Sequence, residues 1–213
     1  MTITKFGHCC LLIETKDRRV LVDPGRFSEQ QNELADIDII LITHEHADHC
    51  HSESVTRIVG NNPDAIIVTN TSVAALLATL EIEAYILEGR DSATVADILL
   101  EAFDGPHVEI FEDFGLVQNT GYFVDDTFFF PGDAYTVPNK PVEILALPVA
   151  GPWCKIAETI RYALAVKPTV AFPVHDATLN DTGRAVTYPH FERELKKVGS
   201  EFVVWEEGTQ REF

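Results

Sequence analysis

Thr43-His44-Glu45-His46-Ala47-Asp48-His49 places three imidazoles and the Asp48 carboxylate within six residues, directly after the apolar run Ile39-Ile40-Leu41-Ile42. Side chains alternate along an extended segment, so His44 and His46 point the same way and can hold one cation. Asp48 and His49 lie beyond the bend and can reach a second. This donor set suits zinc first, with manganese and iron as alternatives. One histidine here would read as a solvated turn residue. Four ligand-type residues at this spacing, at the end of a buried strand, read as a metal loop.

Upstream, the chain is written as strands at Ile3 to Phe6, Cys10 to Thr15 and Val20 to Val22, the last ending at Asp23-Pro24-Gly25. Asp23 is either turn chemistry or a group placed under the metal loop. His8, between two strands, either reaches the site or caps a bend. Ile37 to Ile42 reads as a strand covered on both faces. Downstream, Ser52 to Val59 reads as a helix with Ser52 as its N-cap, Ala65 to Thr69 as a strand, and Ser72 to Leu80 as a helix with Val73, Leu76, Leu77 and Leu80 on one face.

A second set of strands follows: Ala84 to Leu87, Ile98 to Phe103, a hairpin of Gly121 to Val124 and Thr127 to Phe130, Ile144 to Leu147, and Val170 to Val174. Several of these runs end in ligand-type residues. Asp104-Gly105-Pro106-His107 leaves one strand, Pro131-Gly132-Asp133 another, and His175-Asp176 a third. From a strand end, the Asp133 carboxylate could bridge two cations. A helix is expected over Cys154 to Val166, with Ile156, Ile160 and Leu164 on its inner face, another from Pro189 to Val198, and a strand from Phe202 to Trp205. His190 then falls at a helix start without ligand-type neighbours, as a solvated residue.

Length and charge set the frame. The 213 residues fit one domain able to bury roughly 70% of the surface exposed on unfolding. Lys and Arg number 16 against 34 Asp and Glu, a formal net charge of −18. That field repels polyanions, so a nucleic-acid or anionic-membrane partner is not expected, while bound cations would still admit a small anionic substrate. Cys9, Cys10, Cys50 and Cys154 form no disulfide pattern, and the N-terminal stretch lacks a long apolar run. A reducing, cytoplasmic setting is expected.

His44-x-His46-x-Asp48-His49 after an apolar strand resembles the signature of the metallo-β-lactamase superfamily of metal-dependent hydrolases. The texture of Ala146-Leu147-Pro148-Val149-Ala150-Gly151 and of Pro173-Val174-His175 is similar to the small uncapped group related to ascorbate phosphate lactonase. Cys50-His51 departs from that group, which often has an acidic or apolar residue there; His51 is left outside the ligand set. The resemblance implies an α/β (α+β) fold, a four-layer αββα sandwich with two mixed sheets face to face. It implies His44, His46 and His107 on one metal, Asp48, His49 and His175 on the other, and Asp133 between them. It also implies supporting roles for Asp23 and His8, neither of them a ligand. The reaction expected is hydrolysis of an ester, lactone or phosphodiester of a small substrate by a metal-bridging hydroxide, with Asp48 and Asp133 catalytic. An iron-dependent redox enzyme of the same fold, or a nuclease, is the alternative. Specificity is expected in the loops Arg26 to Asn32, Asp113 to Asn119 and Thr178 to Tyr188.

Overall fold

Short apolar runs separated by tight charged turns open the chain as an antiparallel meander. In the computed structural model, which describes residues 1–213, these are β1 (Thr2–Gly7), β2 (Cys10–Thr15) and β3 (Arg18–Val22). Both residues of the turn between β2 and β3, Lys16 and Asp17, have positive φ, as a two-residue hairpin matched to strand twist requires. β4 (Ile39–Leu41), β5 (Ile66–Thr69) and β6 (Tyr85–Ile86) then add in parallel, joined through α1 (Ser52–Asn61) and α2 (Thr71–Ala78).

The second half repeats the plan. β7 (Ser92–Val95), β8 (Ile98–Pro106), β9 (Gln118–Val124) and β10 (Phe128–Phe130) are antiparallel. β11 (Ile144–Pro148), β12 (Val170–Val174) and β13 (Glu201–Phe202) follow in parallel, with α3 (Ile156–Val166) and α4 (Asp181–Lys196) between them. β14 (Gln210–Glu212) returns to the first sheet. The strand orders are β14-β1-β2-β3-β4-β5-β6 and β13-β12-β11-β10-β9-β8-β7.

Between the sheets lies a core of 23 buried residues, including Ile3, Leu41, Leu100, Tyr122, Phe130 and Phe172. Val55, Ile58, Val73 and Leu77 bury α1 and α2 against the first sheet; Tyr162, Ala163, Phe191 and Leu195 bury α3 and α4 against the second. Each large apolar side chain so buried contributes about 1.5–3 kcal/mol. The result is the αββα sandwich expected from the sequence. No helix is long and apolar enough to cross a membrane.

Strand direction explains where the site lies. β1 and β3 are both antiparallel to β2, and β3, β4 and β5 are parallel, so β1, β3 and β4 end at one edge. β8 and β10 are both antiparallel to β9, and β10, β11 and β12 are parallel, so these also end together. His8, Asp23, the His44 loop, His107, Asp133 and His175 each follow one of these ends.

Four sequence expectations need correction. His51, not Ser52, occupies the N-cap of α1, and its Nδ1 lies 2.9 Å from Ser54 Oγ. The buried face of α3 is Thr159, Tyr162 and Ala163, while Ile156 is exposed; the aliphatic stripe faces partly outward. α4 begins at Asp181, where Asn180 accepts from Gly183 N–H at 2.9 Å, so Pro189 and His190 lie within it and much of the expected loop over 178–188 is helix. The strand expected at Phe202 to Trp205 is only Glu201–Phe202, and β14 was not foreseen.

Candidate metal centre

The metal loop is stitched to its surroundings through backbone and buried polar groups. Asp23 accepts from Thr43 N–H at 2.8 Å and from the Thr43 hydroxyl at 2.7 Å, while Asn70 Nδ2 and Thr120 N–H both donate to the Thr43 carbonyl. Gly25 lies so close that a Cβ there would fall 1.8 Å from the Asp48 carbonyl oxygen. Gly132, at φ 64, leaves no room either, since a Cβ would sit 2.2 Å from Asn119 Oδ1. That asparagine in turn accepts from Asp133 N–H at 3.0 Å and fixes its backbone.

These constraints gather the side chains into two groups whose ligand atoms lie within 4.8 Å of one another: His44, His46, His107 and Asp133, and His8, Asp48, His49 and His175. All the residues selected from the sequence are therefore in one place, except Asp23, which stands beneath His49. The grouping differs from the expectation in two respects: His8 joins the second group, and Asp133 falls within the first. Asp133 nevertheless reaches both, with Oδ1 3.2 Å from His49 Nε2, and Oδ2 3.0 Å from His175 Nε2 and 3.4 Å from His107 Nε2.

Hydrogen bonding fixes which ring nitrogen faces inward. His49 Nδ1 donates to Asp23 Oδ2 at 2.6 Å, and His107 Nδ1 to the Val108 carbonyl at 2.7 Å. Thr43 Oγ1 spends its proton on Asp23, so it accepts from His44 Nδ1 at 3.0 Å. In all three rings Nε2 is left with its lone pair toward the centre. These Nε2 atoms, both ring nitrogens of His175 and Asp133 Oδ1 are buried without a hydrogen-bond partner; the short approaches to Asp133 lack hydrogen-bond direction. Buried polar atoms are rarely abandoned in this way. Inward-facing lone pairs of this kind are what a bound metal ion would satisfy, and the donor set of imidazole and carboxylate fits one.

His8 is built differently. Ala177 N–H donates to its Nδ1 at 3.4 Å, so the proton resides on Nε2 and is donated to Asp48 Oδ2 at 3.2 Å. Burial pushes its pKa down to about 4 despite Asp48, which keeps it neutral at pH 7. Burial opposes charge on Asp48 too, but the His175 ring, with Nε2 3.5 Å from Oδ2, and the hydrogen bond from His8 hold its carboxyl well below the usual range. Burial and its histidine neighbours push the pKa of His44 well down, which leaves that ring neutral. Three of these residues carry backbone in the left-handed region: His8 at φ 50, Asp23 at φ 42 and His175 at φ 59.

The β-lactamase superfamily domain model matches residues 2–175, which contain every residue of both groups. The chain belongs to that superfamily. Among similar proteins, protein Rv0786c of Mycobacterium tuberculosis is 34% identical over 193 residues, covering 88% of this chain and 90% of its own. A UPF0173 metal-dependent hydrolase of Caldivirga maquilingensis is 26% identical over 193 residues, 79% of each chain. The fold is matched by the solved structure of the metallo hydrolase Igni18 from Ignicoccus hospitalis, with TM-score 0.73, 18% identity, and coverage of 100% of this chain and 98% of that one.

Two features of this superfamily member escaped the sequence reading. Trp153, just past β11, donates its indole N–H to Asp133 Oδ2 at 3.0 Å. Lys5, buried in β1, donates to both Asp176 oxygens at 2.8 Å and to the Pro173 carbonyl at 2.9 Å, clamping the turn before His8 to the end of β12. A tryptophan in a Gly-Pro turn and one lysine in an apolar strand were the available signals. His51 belongs to neither group.

Proposed function

We propose that the centre holds two divalent cations, zinc first with manganese or iron as alternatives, and that this metal-dependent hydrolase of the metallo-β-lactamase superfamily cleaves an ester, lactone or phosphodiester bond of a small substrate. The observation that carries the reading is the set of buried Nε2 lone pairs on His44, His49 and His107, their Nδ1 protons fixed by protein acceptors, converging on Asp133. Bound cations would supply Lewis acidity and lower the pKa of a coordinated water toward about 7.

The chain's own groups supply the rest. The Asp133 carboxylate spans both groups and is held from behind by the Trp153 indole N–H. Asp48, 24% exposed, lines the cavity, where its carboxylate, held in the charged form, can orient the attacking water. The neutral His8 donates from Nε2 to Asp48 and keeps its oxygens oriented. Four unpaired cysteines support a cytoplasmic setting.

The test is assay of protein reconstituted separately with zinc and manganese on a lactone and a phosphodiester, with metal content measured. His107→Ala should lower metal occupancy and reduce turnover by at least about 100-fold, since first-group geometry is lost. Full turnover in that variant would overturn the assignment.

A further inference from the structure

Arg26 lies in the strap that fastens the metal loop. Its backbone N–H donates to the Ala47 carbonyl at 3.0 Å, and His51 N–H donates to the Pro24 carbonyl at 3.2 Å. Because Gly25 packs directly on the Asp48 backbone, Arg26 is fixed beside the centre, not carried on a loose loop. Arg26 lines the cavity over the two groups, and also a neighbouring polar cavity with Glu29 and Glu53. Lys5, Arg18, Arg57, Lys140 and Arg184 are engaged with carboxylates; Arg26 has no acidic partner and rests over the Phe27 ring at 5.1 Å.

The opposite wall is apolar. Ile110, Phe114, Pro152 and Trp153 face a cavity of about 350 Å³ whose floor is His46, Asp48, His107, Asp133 and His175. Gly115, at φ 76, lets this wall fold inward: a Cβ there would fall 2.7 Å from Ile110 Cδ1 and 3.9 Å from His46 Cε1. Phe114 is 69% exposed, an apolar ring with one face still open. That volume is at the small end of ligand-sized clefts.

Resting on the hydrolase reading above, we propose that the substrate is a small monocarboxylate with an apolar acyl or aryl body, its carboxylate on Arg26 and its body against Ile110, Phe114 and Trp153. A planar guanidinium fork matches a carboxylate with two parallel hydrogen bonds. In a molecule of net charge −18, an anion needs such a local anchor. A dianionic phosphate would bring a second charge to a cavity whose lining holds no arginine or lysine besides Arg26.

The experiment is calorimetric binding of phenylbutyrate, its neutral amide and phenylpropylphosphonate to metal-loaded full-length protein. The acid should bind at least about tenfold tighter than the amide, as expected for a charge-assisted contact. Arg26→Gln should erase that preference, and Phe114→Ala should weaken both ligands. Equal binding of acid and amide, absence of binding by either, a preference that survives Arg26→Gln, or tighter binding of the phosphonate than of the acid would overturn the proposal. Since binding is read without turnover, loss of the hydrolase reading would show as inert metal-loaded protein, and loss of the substrate class as turnover without acid preference.

Discussion

Asp23 touches no cavity, yet one carboxylate accepts the Thr43 amide, the Thr43 hydroxyl and the His49 Nδ1 proton. Replacing it with alanine orphans three buried donors and frees the His49 tautomer. We expect Asp23→Ala to weaken metal binding about 10–100-fold, as measured by chelator competition, and to cost roughly 3 kcal/mol in denaturant unfolding. Retention of wild-type metal affinity would mean that Asp23 does not orient His49. At this scale the sequence was informative where ligands are neighbours: His44, His46, Asp48 and His49 share one loop, and strand ends marked His107, Asp133 and His175. It was silent on Trp153 and on the second-group position of His8, because their partners at 133, 48 and 175 are brought near only by tertiary structure.

At the level of elements, α2 begins beside the metal loop and carries its own acid-sensitive anchor. Glu88 accepts from Thr71 N–H at 2.8 Å and from the Thr71 hydroxyl at 2.9 Å, and Gln118 donates to it at 2.8 Å. The Thr71 backbone bond, then the Gln118 and Thr71 side chains, lower its pKa from the ordinary 4.5. A carboxylate depressed on folding stabilises above its unfolded pKa, and the contribution is lost as pH falls through the folded value. Glu88→Ala should therefore destabilise at pH 7, and the difference from wild type should shrink on acidification below about 4.5; thermal melts at pH 7 and pH 3 check this, and a constant difference would exclude the carboxylate. Most elements were legible from apolar runs and turn residues. α4 was placed too late because Gly183, Thr187 and Pro189 are poor helix formers, and tertiary burial of Thr187, Phe191 and Leu195 overrides that weakness. β14 carries Gln-Arg-Glu, a pattern that marks no strand; pairing with β1 alone makes it one.

Across the whole molecule, the two halves meet not only through the apolar core but through Lys5 and Asp176, one from each sheet's side and both almost fully buried. Desolvating two charges makes such a pair a weak net stabiliser, but removing one partner leaves the other stranded. Lys5→Met should cost roughly 3–5 kcal/mol in unfolding free energy, and Lys5→Met with Asp176→Leu should recover much of it; additive losses in the double variant would contradict this account. Two mixed sheets could be anticipated from the repeated strand and helix rhythm; seven strands in each could not, since neither β7 nor β14 was expected and β6 joins the first sheet instead of opening the second. The strand order could not, since it depends on which edges meet after the helices have packed.

The left-handed backbone at His8, Asp23 and His175 has an evolutionary consequence. Glycine would adopt those angles without the cost of roughly 1–2 kcal/mol that a side chain incurs there. A lineage selected only to fold would tend toward glycine at 8 and 175, whereas at 23 the bonds to Thr43 and His49 outweigh that relief. A descendant that retained the sandwich but had Gly at 8 and 175 would be a retired copy, sturdier than its ancestor and inert.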